Sequence, residues 1–152
     1  MKILLVCTGN TCRSPLAEAL LRRELERAGV TDAVVRSAGT GAWEGERVSE
    51  GSYLVALEKG LDLGDHRAQL ATRELLAEQD LVLVMGSGHL HKLERLGAEA
   101  KSHLFGTYAG ITGVDAEVAD PVGGPIEGYR KVYAQLEGMA VAAAARIARE
   151  GK

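Results

Sequence analysis

The chain has 152 residues, of which 46% are hydrophobic and 26% are charged, a composition that excludes a disordered chain and predicts one globular domain over residues 1–152. The formal net charge of -3 gives no support to nucleic-acid binding, and the longest apolar runs are too short to span a membrane. Two cysteines are too few for a disulfide scaffold and no secretory signal precedes the first apolar run, so we expect the reducing environment of the cytoplasm.

Apolar runs and helical signals alternate along the chain. The run at 2–6 is typical of a strand buried on both faces, and the next helix is predicted to begin at Arg13 or Ser14 and to end at Gly29. Further strands are predicted at 33–37, 80–85 and 102–105, and further helices at about 49–59, from Thr72, between 88 and 97 and at about 126–150, with a long loop at 106–124. This alternation predicts an α/β fold, a three-layer sandwich with a parallel sheet.

The loop after the first strand carries the strongest chemical signal, because functional sites of parallel sheets lie outside the carboxyl ends of the strands. It reads CTGNTCR at 7–13. A short loop that leads into a helix points backbone N–H groups inward and, with the helix dipole, makes an anion cradle. Arg13 adds a planar fork for two phosphate oxygens. The same field favours a thiolate at Cys7, which would be placed for in-line attack on phosphorus.

Both ends of this pattern also have a plainer explanation. Cys7 is a candidate core cysteine, and Arg13 is a candidate surface charge at a helix start. A bare Cys-x5-Arg match is a weak motif. Its position between a buried strand and a helix, at the edge of the sheet where sites form, favours the functional interpretation.

The sequence also resembles a known family. The segment VCTGNTCRSP at 6–15 looks like the signature of the low-molecular-weight protein tyrosine phosphatases. The resemblance continues, in the order of the family, through SAGT at 37–40, the loop around Trp43, HRA at 66–68, DLVLVM at 80–85 and Asp120-Pro121. It therefore covers nearly the whole chain. It implies a four-stranded parallel sheet flanked by helices, the flavodoxin-like phosphotyrosine protein phosphatase I fold.

The resemblance assigns roles to the loop residues. Cys7 would be the nucleophile that forms a cysteinyl-phosphate, and Arg13 would bind phosphate and stabilise the transition state. The implied phosphate-binding residues are Thr8, Gly9, Asn10, Thr11, Cys12 and Arg13. Asn10 would hold the strained shape of the loop, and Ser14 would donate a hydrogen bond to the Cys7 thiolate. His66 would join this support network, although by itself it is more simply a solvated loop histidine.

The reaction also needs a group that protonates the leaving atom and later activates water, and a loop carboxylate can do both. From the residues alone Asp115 and Glu117 compete with Asp120, because an Asp before Pro is also a common turn residue. The resemblance selects Asp120. The residues at 122–124, Val-Gly-Gly, depart from the eukaryotic pattern of aromatics and look like the bacterial branch, which lacks one wall that would grip a phenyl ring.

Thr11 bears on the choice of substrate. Many family members carry an aliphatic residue here, whereas a hydroxyl can hydrogen-bond a guanidinium leaving group, with which Asp120 could also pair. Thr11 and the Asp-Pro-x-Gly-Gly run resemble the protein arginine phosphatase branch, so phosphoarginine is favoured over phosphotyrosine, with drift inside a tyrosine phosphatase as the alternative. Trp43 would line the mouth of the site and stack on a ring or on a guanidinium plane.

The second loop cysteine has two interpretations. Cys12 is either a small residue packed under the loop or, as the family implies, the partner of Cys7 in a reversible disulfide that protects the nucleophile from overoxidation. No metal is expected, because the histidines do not stand at metal spacing to the cysteines. Of these histidines, His89 and His91 are expected to be exposed residues at a helix start.

Three classes of function follow from these motifs. The first is a cysteine-based phosphatase without a cofactor, expected to be a monomer that acts on phosphorylated protein or peptide, releases inorganic phosphate, and binds neither nucleic acid nor membrane. The second is an arsenate reductase, which would need further cysteines to relay its disulfide. The third is a non-catalytic phosphate-binding module, which would gain nothing from a thiolate that faces an anion.

Overall fold

A computed structural model describes residues 1–151 of the chain. Four parallel strands form one sheet in the order β2-β1-β3-β4, with β1 at Lys2–Cys7, β2 at Val34–Gly39, β3 at Leu81–Val84 and β4 at Ser102–Leu104. The helices are α1 (Arg13–Arg27), α2 (Glu50–Glu58), α3 (Arg73–Ala77), α4 (Ser87–Arg95), α5 (Phe105–Tyr108) and α6 (Ile126–Glu150). The predicted α/β fold with a four-stranded parallel sheet is confirmed.

Helices cover both faces of the sheet. Successive side chains of a strand point to opposite faces. Ile3 and Leu5 of β1 pack into a core with α1, α2, α5 and α6, whereas Leu4 and Val6 pack into a second core with α3 and α4. All four side chains are fully buried, which explains why the run at 2–6 is continuously apolar and not alternating.

The segment at 106–124 was predicted to be a loop and is partly helical. The fourth strand ends at Leu104, and Phe105 begins α5, a single turn that buries the Phe105 ring in the first core. A 3-10 helix follows at Gly113–Ala116. The two turns pack so closely that a Cβ at Gly106 would clash with the backbone of Ala116. The segment is therefore compact at this point, and residue 106 must be a glycine for the two turns to meet.

The carboxyl ends of the central strands bring the candidate residues to one edge of the sheet. Cys7, the last residue of β1, is paired in register with Gly39, the last residue of β2. The start of α4 follows β3 at the same edge. No helix within residues 1–151 is both long enough and apolar enough to cross a bilayer.

Candidate active site

Residues 7–13 wrap around a cleft of about 220 Å³ at this edge of the sheet. Its walls are formed by Cys7, Thr8, Gly9, Thr11, Cys12, Arg13, Asp120 and Val122. The structure thus brings together the predicted nucleophile, arginine and acid, which are up to 113 positions apart along the chain. Among residues 1–151, the backbone N–H groups of residues 9–12 have no hydrogen-bond acceptor. They are therefore available to an anion in the cleft.

Cys7 lies at the floor of the cleft, where its thiol is buried. Its Sγ is 2.9 Å from Ser14 Oγ, and the Asn10 side-chain amide donates to that same Oγ at 2.8 Å. The Ser14 hydroxyl proton has two acceptors within reach, the Cys7 sulfur at 2.9 Å and the Ala38 carbonyl oxygen at 3.5 Å, and the sulfur is the nearer one. A hydroxyl at this position can donate a hydrogen bond to a sulfur that carries negative charge.

Asn10 determines the shape of the loop. It is fully buried and adopts a φ of 57°, in the left-handed region that Asn tolerates better than most residues. Its Nδ2 donates to Ser14 and, at 2.9 Å, to Ser37, while its Oδ1 accepts the Gln69 backbone N–H at 3.0 Å. Each polar atom of the amide thus has a partner. Sequence reasoning assigned no role to Ser37 or Gln69, although Ser37 lies in a segment that resembled the family.

His66 supports the same loop through the backbone. Its Nε2 lies 2.7 Å from the Asn10 carbonyl oxygen, which orients the peptide at the residue with positive φ. Gly39 supports the loop from the other side. A Cβ there would overlap the Thr8 carbonyl oxygen and lie 2.9 Å from the Asn10 nitrogen. The loop can approach β2 this closely only because residue 39 is glycine.

Arg13 is buried beneath the rim of the cleft. Its Nη1 donates to the Val118 carbonyl at 2.9 Å, and its Nη2 lies 3.5 Å from Thr8 Oγ1 and 3.6 Å from the Asp120 carboxylate. The Nε atom is buried and has no partner within residues 1–151. A buried donor without an acceptor costs about 1–3 kcal/mol, and an oxyanion in the cleft would remove that cost.

Asp120 is the carboxylate that faces the cleft. Its side chain is 44% exposed, and its Oδ1 accepts the Val122 backbone N–H at 3.1 Å, the turn contact expected of an Asp before Pro. Glu117, one of its competitors, instead accepts the Ser87 N–H at 2.8 Å at the start of α4. That bond and the Ser87 hydroxyl lower the pKa of Glu117. The cleft wall contains neither Glu117 nor Asp115.

Cys12 is buried on the side of the loop that faces α2. Its Sγ donates to Ser49 Oγ at 3.1 Å, and its carbonyl accepts the Ser52 hydroxyl at 3.2 Å. No disulfide joins Cys7 and Cys12. Cys12 therefore packs under the loop and also lines the cleft that holds Cys7.

Trp43 is not part of the cleft wall. It is 79% exposed, so its predicted contact with substrate stays a prediction.

The spacing of the histidines in the sequence predicts no metal site. Residues 1–151 contain no group of three or more His, Cys, Asp or Glu side chains that could hold a metal ion.

The prediction that His89 is exposed is wrong. The residue is 7% exposed, its Nδ1 accepts the Gly86 N–H at 3.0 Å, and its Nε2 lies 2.9 Å from Thr8 Oγ1. Burial, followed by the charge of Arg13, lowers the pKa of His89 to about 4. The local sequence gave no signal of this burial, since the contact joins residues 81 positions apart. His91 is exposed as expected.

Comparisons with known proteins agree with this geometry. Residues 2–152 match the family model described as low molecular weight phosphotyrosine protein phosphatase. The chain is similar to a protein-arginine-phosphatase of Geobacillus stearothermophilus (42% identity, 90% of this chain and 88% of that protein) and to a low molecular weight protein-tyrosine-phosphatase of Streptomyces coelicolor (37% identity, 90% and 87%).

A solved structure has a similar fold. It is a Cys-to-Ser mutant of an arginine phosphatase with a phosphorylated active-site serine, which superposes with a TM-score of 0.89 at 35% identity over 97% of this chain and 95% of that one. These relatives support neither the arsenate reductase nor the non-catalytic module. The chain belongs to the low molecular weight phosphotyrosine protein phosphatase family of hydrolases.

Proposed function

We propose that this enzyme hydrolyses phosphorylated protein side chains through a cysteinyl-phosphate intermediate, with phosphoarginine as the preferred substrate. The observation that carries the mechanism is the buried Cys7 thiol, whose sulfur lies 2.9 Å from the Ser14 hydroxyl at the floor of a cleft lined by Arg13 and Asp120. The related arginine phosphatase mutant with a phosphorylated active-site serine supports covalent transfer to a nucleophile of the enzyme.

In the first step the Cys7 thiolate attacks phosphorus. The S–P bond forms as the bond from phosphorus to the leaving atom breaks, and the Asp120 carboxyl gives its proton to that leaving atom. Backbone N–H groups of residues 9–12 and the Arg13 guanidinium hold the phosphoryl oxygens as charge builds on them.

In the second step water attacks the cysteinyl-phosphate. Asp120, now ionised, takes a proton from the water, the S–P bond breaks, and inorganic phosphate leaves. The Ser14 hydroxyl stabilises the departing thiolate through the 2.9 Å contact that it makes with Cys7. No cofactor takes part in either step of this scheme.

A change of Cys7 to serine tests this mechanism. Cys7→Ser is expected to abolish turnover of p-nitrophenyl phosphate, because serine is a far weaker nucleophile at neutral pH, and to retain vanadate binding, because the N–H cradle and Arg13 remain. Activity and calorimetric vanadate binding are measured on the same preparation. Substantial turnover by Cys7→Ser would overturn the assignment of the nucleophile.

The preference for phosphoarginine rests on the wall of the cleft. Thr11 lines the cleft, and its hydroxyl lies 3.9 Å from Cys12 Sγ. Val122, in the segment where the eukaryotic pattern has aromatics, is 62% exposed. This wall offers a hydroxyl for a hydrogen bond and holds no aromatic side chain that could stack on a phenyl ring, which favours a guanidinium over a phenyl leaving group. Phosphotyrosine is the second candidate, because the relatives include both kinds of phosphatase.

Two substitutions at Thr11 separate these substrates. Thr11→Val keeps the shape and removes the hydroxyl, whereas Thr11→Ile also adds apolar bulk. Loss of one hydrogen bond to a charged group predicts that the ratio of kcat/KM for phosphoarginine to that for phosphotyrosine peptide falls about tenfold to a hundredfold in both variants. An unchanged ratio would show that Thr11 does not select, and the phosphoarginine preference would be withdrawn.

A further inference from the structure

His89 is a buried titratable group that contacts the phosphate loop and that the mechanism above does not use. Both of its ring nitrogens have partners, and they lie on different elements. The Gly86 N–H donates to Nδ1 at 3.0 Å at the start of α4, so Nδ1 must carry a lone pair. The neutral ring then has its proton on Nε2, which lies 2.9 Å from Thr8 Oγ1 and therefore donates to it.

Thr8 passes this orientation to the arginine. Its hydroxyl oxygen accepts from His89 and is also the atom that lies 3.5 Å from Arg13 Nη2. The same Nη2 lies 3.6 Å from the Asp120 carboxylate. A shift of the Thr8 hydroxyl would thus remove one of the contacts that hold the outer end of the guanidinium between the loop and the acid.

The start of α4 also holds the segment that carries the acid. The Glu117 carboxylate accepts the Ser87 N–H at 2.8 Å, and Arg13 Nη1 donates to the carbonyl of the next residue, Val118, at 2.9 Å. The first turn of α4 is therefore bonded to the phosphate loop through His89 and to the acid segment through Glu117. The Arg13 side chain lies between these two attachments.

We propose that His89 is a positioning residue of the phosphatase reaction, which fixes the Thr8 hydroxyl and through it the Nη2 end of Arg13 beside Asp120. The proposal rests on the proposed function, because its effect is exerted through Arg13. It assigns to the first turn of α4 a part in oxyanion binding that sequence reasoning gave to the loop alone.

We call the chain of contacts from His89 through Thr8 to Arg13 the relay. A double-mutant cycle between His89 and Thr8 tests it. His89→Leu removes both ring nitrogens from a buried site, and Thr8→Val removes the hydroxyl and keeps the shape. We expect His89→Leu to weaken vanadate binding, measured by calorimetry, and to lower kcat/KM for p-nitrophenyl phosphate by about five- to tenfold. In the Thr8→Val background the same change is expected to have less than a twofold effect.

Matched variants define the controls. His91→Leu changes an exposed histidine of the same helix and is expected to leave both measurements unchanged. In a Thr8→Ser background, which keeps the hydroxyl, His89→Leu is expected to have the same fold-effect as in wild type. If His89→Leu has an equal effect in wild type and in the Thr8→Val background, it acts only through the stability of α4, and the relay is overturned.

A spectroscopic measurement covers the case in which His89→Leu does not fold. In a long-range ¹⁵N–¹H spectrum of the wild-type protein, His89 is expected to be protonated on Nε2 alone from pH 8 down to pH 5. Burial, Arg13 and Lys92 disfavour its cation, whereas Asp120 and Glu117 oppose them. A proton on Nδ1, or a cationic ring at pH 5, would overturn the geometry.

The two proposals fail in different ways. A wild-type protein without phosphatase activity would refute the proposed function, while vanadate binding and the spectrum would still decide the role of His89. An active wild type whose His89 effect is the same in every Thr8 background would refute only the relay.

Discussion

The phosphate loop and the segment that carries Asp120 face each other across one cleft and are built in opposite ways. In the loop, Asn10 is fully buried and each polar atom of its side chain is hydrogen-bonded. Asp120 has a 44% exposed side chain with one local hydrogen bond, and its distance to Arg13 is 3.6 Å. The phosphate loop is therefore fixed by many hydrogen bonds, whereas the Asp120 side chain is held by few contacts.

This difference matches the tasks proposed for the two sides. Donors that stabilise a transition state are effective when they are already in place, because no reorganisation is then needed during the reaction. A group that gives a proton to a departing atom and later takes one from water must serve two positions in turn. The many bonds to Asn10 suit the first task, and the exposure of Asp120 suits the second.

The largest predicted effect is at the residue that both sides share. Arg13→Ala removes the buried guanidinium that contacts Thr8, Val118 and Asp120, and it is expected to lower kcat/KM by about a thousandfold and to abolish measurable vanadate binding. Steady-state kinetics and calorimetry check both. Wild-type affinity for vanadate in Arg13→Ala would show that the N–H groups alone form the cradle.

Removal of the acid is expected to have a smaller effect, confined to chemistry. Asp120→Asn keeps the size and the turn contact but cannot transfer a proton, so kcat is expected to fall about a hundredfold to a thousandfold while vanadate binding is retained. Asp115→Asn, on the same segment but outside the cleft wall, is the matched control. An equal loss in both variants would remove the distinction between the two carboxylates.

Substitutions of Asn10 test how much its hydrogen bonds contribute to the stability of the protein. Asn10→Ala loses three side-chain hydrogen bonds and places alanine at a φ of 57°, so we expect the free energy of unfolding to fall by about 2–4 kcal/mol in urea titrations. Asn10→Gly loses the same bonds without the backbone strain and is expected to be about 1 kcal/mol more stable than Asn10→Ala. Equal stabilities would mean that the positive φ carries no cost.

The smallest predicted effect concerns the second cysteine, for which we propose a protective role. After peroxide treatment, wild type is expected to lose two hydrogens by mass spectrometry as Cys7 and Cys12 form a disulfide, and to recover activity with a thiol reductant. Cys12→Ser is expected to recover a smaller fraction, because Cys7 then oxidises irreversibly. Equal recovery would leave Cys12 as a packing residue bonded to Ser49.

Sequence reasoning succeeded where local pattern and motif decide the structure. The apolar run at 2–6 predicted β1, and the family resemblance assigned Cys7, Arg13 and Asp120 to one proposed site; the structure places these three residues around one cleft. It failed at His89, whose surroundings in sequence, Gly-Ser-Gly before it and a charged helix after it, are those of an exposed helix start. The burial of His89 comes from a contact with Thr8 that no local pattern encodes.

Two of the supports of Asn10 escaped prediction for the same reason. Ser37 and Gln69 lie 27 and 59 positions from Asn10, and the bond from Gln69 is made by its backbone, so the identity of the side chain carries no trace of it. The helical turns at Phe105–Tyr108 and Gly113–Ala116 were also missed. They meet where Gly106 packs on Ala116, a contact that the local sequence pattern does not show.

The close approach of Gly39 to the loop bears on protein engineering. Residues 7–14 form one continuous segment, which a designer could graft between a parallel strand and its following helix to create an oxyanion-binding site. The recipient would also need a glycine at the end of the adjacent strand, because a methyl group there would displace the Thr8 carbonyl and crowd the Asn10 nitrogen. A transplant of the loop alone is therefore expected to yield a correctly folded scaffold with a collapsed cradle. The unit to move is the pair of strand ends together with the segment from His66 to Gln69 that holds Asn10.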